Sequence, residues 1–300
     1  AFAPIVNPVL KSGIAKMSLD MFGVDKHRTF PAYSSRKFST ILKKIEPQQK
    51  EYPKHVAYYH GCYVNYNNPA LGEDLVKILN VYGVLPLEKQ KCCGVAKIAN
   101  KLIDRARHDA KINLRSMRKA AAEGLPILST SSTCVFTIRD EYPHLLGLEN
   151  DDVRSDIMLA TVFLSRKISE GEIKLVFRED YRKRISYHTP CHMQKLGWAA
   201  YSIGLLKMIP GVEFAPLPSQ CCGIAGTYGF KKEMYDYSQK IGAGLFEAIE
   251  EAHPDVVATD CETCKWQIEM STGTKVENPI SIIAEALDVQ ATMKANGLTF

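Results

Sequence analysis

Lys183-Arg184-Ile185-Ser186-Tyr187-His188-Thr189-Pro190-Cys191 is a short apolar, aromatic run ending in a cysteine, and Lys54-His55-Val56-Ala57-Tyr58-Tyr59-His60-Gly61-Cys62 is its counterpart nearer the N-terminus. From each of these cysteines the step to a vicinal pair is the same, Cys62 to Cys92 and Cys191 to Cys221. The pairs continue alike, as Cys92-Cys93-Gly94-Val95-Ala96 and Cys221-Cys222-Gly223-Ile224-Ala225. Each half then closes on a third match, Ser131-Ser132-Thr133-Cys134 against Cys261-Glu262-Thr263-Cys264. Three landmarks recurring in one order mark a duplicated structural unit.

The unit can be read outward from its cysteines. Residues 56–59, 85–87 and 126–129 in the first half, and 185–187, 212–217 and 255–259 in the second, have strand character. Between the first two strands Leu71, Leu75, Ile78, Leu79 and Tyr82 recur on one helical face that stops at Gly83; residues 199–208 play the same part before Pro210-Gly211. Long helices are expected over 101–123 and 231–251. Each half is thus a βαβαβ unit, an α/β fold with a parallel sheet and crossover helices. Every cysteine falls just beyond the C-terminal end of a strand, where open α/β sheets bind ligands. One site per half is the expectation.

The domain boundaries that follow are 1–50 as an N-terminal extension, 51–150 and 183–300 as the two repeats, and 151–182 as a linker with a helix over 155–169. That helix would pack Ile157, Val162, Leu164 and Ile168 against the halves. In the extension Leu10, Ile14, Met17 and Met21 share a helical face beside Lys11 and Lys16. Such a helix can lie on a membrane surface; Gly13 and the short length favour packing against protein. The tail from Val289 is expected to fray. A net charge of +5 is mild and carries no clustered nucleic-acid footprint. No apolar run reaches the roughly 20 residues of a spanning helix. Pro4, Asn7, Pro8 and Lys11 interrupt any secretory pattern. The sequence opens on Ala1, so a further segment ahead of it is expected.

Nine cysteines, an odd count in a long chain, fit a reducing compartment and metal chemistry better than disulfides. The second half offers Cys191, Cys221, Cys222, Cys261 and Cys264. Thiolates select iron–sulfur clusters, zinc or cuprous copper, and tetrahedral zinc uses only four. Five convergent thiols therefore point to a cluster with an extra ligand, or to four ligands and one reactive thiol. The structural alternative is a set of buried free cysteines, or a redox disulfide between Cys261 and Cys264. The first half keeps Cys62, Cys92, Cys93 and Cys134, with Ser131 where the second half has Cys261. Four thiols suffice for zinc or a small cluster, so the two sites are chemically unequal.

The duplicated cysteine, Cys-Cys-Gly and Cys-x-x-Cys pattern resembles the cysteine-rich CCG domain of heterodisulfide reductase and its relatives. Val64-Asn65-Tyr66-Asn67, Asp140-Glu141-Tyr142-Pro143, His188-Thr189-Pro190-Cys191-His192-Met193 and the run from Cys222 to Lys232 more narrowly resemble the CCG-domain subunits of anaerobic glycerol-3-phosphate dehydrogenases. That resemblance implies a non-catalytic iron–sulfur subunit of an FAD-dependent, glycerol-3-phosphate-oxidising complex. Such a subunit takes electrons from a flavoprotein catalytic subunit, with a companion subunit, and passes them to menaquinone. It works peripherally at the cytoplasmic face of the inner membrane in anaerobic respiration. The family usually begins with a ferredoxin-like segment bearing two Cys-x-x-Cys-x-x-Cys runs; none occurs in these residues, so its two cubane clusters are not assigned here. The resemblance to heterodisulfide reductase implies an iron–sulfur cluster, of 4Fe-4S type or in that family's non-cubane form, on Cys191, Cys221, Cys222, Cys261 and Cys264. For Cys62, Cys92, Cys93 and Cys134 the residues leave open zinc, an iron–sulfur cluster or a purely structural, vestigial role.

Two rival functions remain at this level: a thiol–disulfide enzyme of heterodisulfide-reductase type, and a zinc-stabilised scaffold subunit. His60, His188 and His192 beside the first cysteines could relay protons or hydrogen-bond cluster sulfur, against local satisfaction near a strand end. Trp198 and Trp266 have quinone contact or core packing open to them. Gly226-Thr227-Tyr228-Gly229 could bring backbone amides to the site or form a plain loop. Lys231 and Lys232 could steer an acidic partner or stay solvated.

Overall fold

Val56 and Ala57 lie in β1 (His55–Tyr58), inside a four-stranded parallel sheet with β2 (Gly83–Pro86), β3 (Ile127–Ser129) and β4 (Ile157–Leu159), in the order β2-β1-β3-β4. β1 sets Val56 opposite Val84 on one side and Ala57 opposite Ile127 on the other. The second half repeats this order as β6-β5-β7-β8, built from β5 (Lys183–Tyr187), β6 (Val212–Ala215), β7 (Val256–Ala258) and β8 (Val276–Glu277). Ile185 stands opposite both Phe214 and Val256. In each sheet the chain leaves the inner strand for the edge and returns on its other side. That reversal opens a crevice at the carboxyl ends of the strands. The computed structural model describes residues 3–79 and 81–298, and all of their side chains except those of Lys11, Ile14, Ala15 and Lys16.

All six expected strands are present, and two more complete the sheets. Ile157, expected within a linker helix, instead starts β4; the helix begins only at Ala160. β4 runs directly into the apolar helix that follows it, and β8 is only two residues long. They are defined by the neighbour they pair with. The tail is ordered as far as the described residues run, to Leu298: the Asp288 carboxylate caps the helix Val289–Ala295, and the buried Thr292 bonds Val176 in both directions.

The halves are joined by an exchange of helices. Ala160–Ser169, which follows the first sheet, packs on Ala199–Lys207 of the second half. Pro279–Ala286, which follows the second sheet, packs on Pro69–Ile78 of the first. Leu71, Leu75, Phe163, Leu164, Leu205, Leu206, Ile280 and Ile283 consequently belong to one continuous core. Ser202 Oγ to Thr161 Oγ1 at 2.9 Å and Lys77 Nζ to Ala284 O at 2.7 Å tie the exchanged helices down.

The first fifty residues form α1 (Ala3–Lys11), α2 (Gly13–Met21) and α3 (Phe38–Gln49). The face expected of Leu10, Ile14, Met17 and Met21 lies partly outside the described residues, since the Ile14 side chain does; Met17 and Met21 are exposed, not packed on this protein. α3 behaves oppositely. Phe38 and Leu42 are fully buried, and the Phe38 ring meets Tyr58 edge-on at 5.5 Å and presses on Gly72, where a Cβ would lie 2.3 Å from it. Phe38→Ala is expected to cost about 3–5 kcal/mol in a denaturant titration, the usual cost of a cavity left by a buried aromatic ring.

Candidate metal centre

Three strand ends in each sheet deliver the thiols, those of β1, β2 and β3 in the first half and of β5, β6 and β7 in the second. After β1, Gly61 at φ +65° leads into the helix Gly61–Tyr66 and presents Cys62; after β5, Pro190 precedes the helix Cys191–Leu196. After β2 and β6 come the vicinal pairs, each reversed by a left-handed glycine, Gly94 (φ +98°) and Gly223 (φ +84°). The reversal directs backbone N–H groups at sulfur: Gly223 N–H donates to Cys221 Sγ at 3.3 Å. After β3 the Ser131 hydroxyl accepts from Cys134 N at 3.2 Å and caps the helix Ser132–Phe136. Cys261 takes the same capping seat before the helix Glu262–Thr272. Serine is a good cap and thiol a poor one. The fifth cysteine of the second half thus occupies a position that the first half gives to helix capping.

In the second half Cys191 Sγ lies 3.6 Å from Cys221 Sγ and Cys222 Sγ 3.3 Å from Cys264 Sγ, while Cys261 Sγ contacts Thr263 Oγ1 at 3.2 Å. In the first half the Cys62 and Cys92 sulfurs are 3.9 Å apart, and Cys93 and Cys134 are both buried. All nine are free thiols. The two thiol sets are not walled off from one another. They line one cavity of about 260 Å³ between the halves. A larger cavity, about 670 Å³, lies beside β2 among Lys43, Glu46, Lys119 and Glu123, and contains no cysteine.

Crowded thiols share protons. Cys221 is held far below its ordinary range, at about 2, by hydrogen bonds from Cys191 and then Cys222, with Gly223 N–H assisting. Cys92 is held down likewise by Cys62 and Cys93. Cys62 and Cys191 are pushed up, because each keeps the proton it donates and is partly desolvated. Cys261 falls to about 5 through the Cys264 thiol and the Thr133 and Thr263 hydroxyls. Full ionisation of either set needs cations among the sulfurs. An all-sulfur, largely buried donor set that converges in this way fits an iron–sulfur centre, and its four-thiol half also fits zinc.

The wall between the sets is made by both halves. Ser132 N and Oγ both donate to Asp260 O, at 2.8 and 2.9 Å. Ser131 Oγ donates to Glu262 Oε2 at 2.9 Å. Thr133 Oγ1 stands 3.4 Å from Cys261 Sγ and 3.1 Å from His192 Nδ1. Burial raises the carboxyls of Glu262 to about 8 and Asp260 to about 6, the latter against a hydrogen bond donated by Tyr187. Thr133 and Glu262 carry these contacts, although cysteine spacing alone does not single them out. The matching threonines before Cys134 and Cys264 are the signal in the sequence that could have done so.

The remaining candidates separate cleanly. His60 Nδ1 is satisfied by Gly61 O at 2.8 Å. His192 stacks on Phe136 of the other half with centroids 4.8 Å apart. His188 is buried, is held down to about 4 by that burial, and has no hydrogen-bond partner among the described residues on either ring nitrogen. Trp266 lines the cavity and meets Tyr63 at 5.8 Å, whereas Trp198 lies under the Arg139 guanidinium away from it. Thr227 accepts from Asn100 across the halves. Lys231 sits over the Tyr228 ring and Lys232 pairs with Asp20.

A model of the cysteine-rich domain named CCG matches residues 56–139 and 185–269, the spans that hold the two thiol sets. The chain belongs to the CCG cysteine-rich domain family. It is 51% identical over 290 residues to a subunit of the anaerobic glycerol-3-phosphate dehydrogenase of Escherichia coli K12, covering 95% of this chain and 73% of that protein. A subunit of the dihydromethanophenazine:CoB–CoM heterodisulfide reductase of Methanosarcina barkeri is 26% identical, over 94% of this chain and 73% of its own length. Lactate utilization protein A of Geobacillus thermodenitrificans is 29% identical, over 78% of this chain and 98% of its own length. These relatives of a CCG protein differ in the reactions their names record.

Proposed function

We propose that the chain is an iron–sulfur electron-transfer subunit of an anaerobic glycerol-3-phosphate dehydrogenase. It receives electrons from a flavoprotein partner and passes them towards menaquinone. The observation that carries this reading is the single cavity lined by nine free thiols, together with the likeness to a glycerol-3-phosphate dehydrogenase subunit over nearly the whole chain. Cys191, Cys221, Cys222, Cys261 and Cys264 would hold one centre, and Cys62, Cys92, Cys93 and Cys134 a second of lower thiol count. When bound, such a group supplies one-electron carriage at a potential set by hydrogen bonding and burial within a span of about −700 to +450 mV. The protein's share is to bury Cys222, Cys261 and Cys264 while leaving Cys62 and Cys191 at the surface, where a partner can approach.

Membrane contact belongs to the same proposal. Ile5 and Val9 of α1, Met17 and Met21 of α2, and the adjacent Phe22 are all exposed. They offer an apolar face for peripheral attachment at the cytoplasmic side of the inner membrane. No described helix is long and apolar enough to cross a membrane.

The test is iron, zinc and sulfide analysis with electron paramagnetic resonance on anaerobically prepared protein, followed by addition of glycerol-3-phosphate with and without the flavoprotein partner. The expected result is bound iron and sulfide, and a reduced-centre signal that appears only with the partner present. Colourless, zinc-loaded protein would select the scaffold instead. Cleavage of a heterodisulfide by the chain alone would select the thiol–disulfide enzyme.

A further inference from the structure

Sheet register makes His188 the counterpart of Tyr59. Tyr59 N donates to Leu128 O at 2.8 Å beyond β1, and His188 N donates to Ala258 O at 2.9 Å beyond β5. Both side chains are about 1% exposed and lie under the thiol sets. Their polar atoms meet different fates. Tyr59 OH donates to Lys91 O at 2.7 Å, so the first half closes its floor with protein. Neither His188 ring nitrogen has a protein partner among the described residues, and a His188 nitrogen, Cys222 Sγ and Cys264 Sγ lie within 4.8 Å of one another. A buried donor without an acceptor costs free energy that native structures rarely leave uncompensated.

Resting on the reading that the second half holds an iron–sulfur centre, we propose that His188 is a positioning residue whose ring N–H donates a hydrogen bond to sulfur of that centre. The five thiols already provide the ligand set. A neutral imidazole carries one N–H, and a thiolate-bound centre turns sulfur acceptors outward. The N–H therefore finds its partner when the centre is in place. Hydrogen bonds to sulfur withdraw electron density and favour the reduced state. Tyr59 cannot supply the equivalent bond, because its hydroxyl is committed to Lys91. The two halves thus differ in the floor beneath the sulfurs as well as in thiol count.

The experiment is a redox titration of the loaded full chain followed by electron paramagnetic resonance, comparing wild type with His188→Leu and His188→Gln. His188→Leu is expected to lower the reduced-to-oxidised ratio of the second-half centre about tenfold at a fixed ambient potential, which is about 59 mV for a one-electron couple. The first-half centre should stay where it is. His188→Gln, which keeps an N–H, should recover most of the loss. Pulsed measurements on wild type, which need no variant to fold, should find an exchangeable proton coupled to the second-half centre without strong nitrogen coupling. Strong nitrogen coupling would make His188 a ligand and overturn the proposal. So would an unmoved potential in loaded His188→Leu protein. Wild-type protein without iron and sulfide would instead overturn the reading on which the proposal rests.

Discussion

Replacing Cys222 or Cys264 by Ser is expected to abolish the second-half iron signal of anaerobically prepared protein, whereas Cys62→Ser leaves that signal standing and weakens only the first-half centre. Cys222 and Cys264 are 2% and 5% exposed, with sulfurs 3.3 Å apart. At that depth water has little room to replace a lost ligand, and a serine hydroxyl is a hard, reluctantly ionised donor where soft thiolate is required. The loss in metal affinity should exceed the ~10–100-fold typical of removing an outer-shell partner. Cys62 is exposed and its nearest thiol is 3.9 Å away, so water can take the vacated position. Iron content and electron paramagnetic resonance of the three variants decide the matter. Equal losses in all three would end the case for unequal halves.

Gly223→Ala should be the more damaging of two matched substitutions, and Gly94→Ala the milder. Both glycines follow a vicinal cysteine pair with positive φ, so both variants carry left-handed strain of about 1–2 kcal/mol. Their surroundings separate them. A Cβ on Gly94 would meet nothing closer than Ala106 Cβ at 3.5 Å, an ordinary contact. A Cβ on Gly223 would lie 2.0 Å from Ser238 O and 3.1 Å from Gly242 N, both backbone atoms of the helix Tyr235–Ala252. Helix backbone cannot rotate aside as a side chain can. Either the helix or the cysteine turn must move, and the destabilisation should pass about 4 kcal/mol, the range reserved for broken backbone packing. Urea unfolding paired with iron analysis is the check. Gly223→Ala protein with wild-type midpoint and full iron would refute the close approach.

The duplication, the six principal strands and the convergence of cysteines at strand ends were legible because each has a local signature: a repeated spacing, an apolar run, a glycine turn. β4 and β8 were not: Ile157-Met158-Leu159 runs straight into the apolar positions of the helix that follows it, and Val276-Glu277 is too short to carry a pattern. The merging of two thiol sets around one cavity was also out of reach. It depends on Ser131, Ser132 and Thr133 meeting Asp260, Cys261 and Glu262, contacts about 130 residues apart that no periodicity encodes. Ser131 is the instructive residue. In sequence it is a cysteine missing from a pattern; in the fold it caps a helix and holds Glu262.

The helix traded by each repeat has a consequence for how the molecule can be taken apart. Ile280 and Ile283 come from the far end of the chain, yet they seal the side of Pro69–Ile78 that carries Leu71 and Leu75. Severing the polypeptide between the repeats would leave each piece with a greasy flank that only its sibling can cover. Two such pieces would have to find one another by diffusion, whereas the intact chain supplies its own mate at millimolar effective concentration.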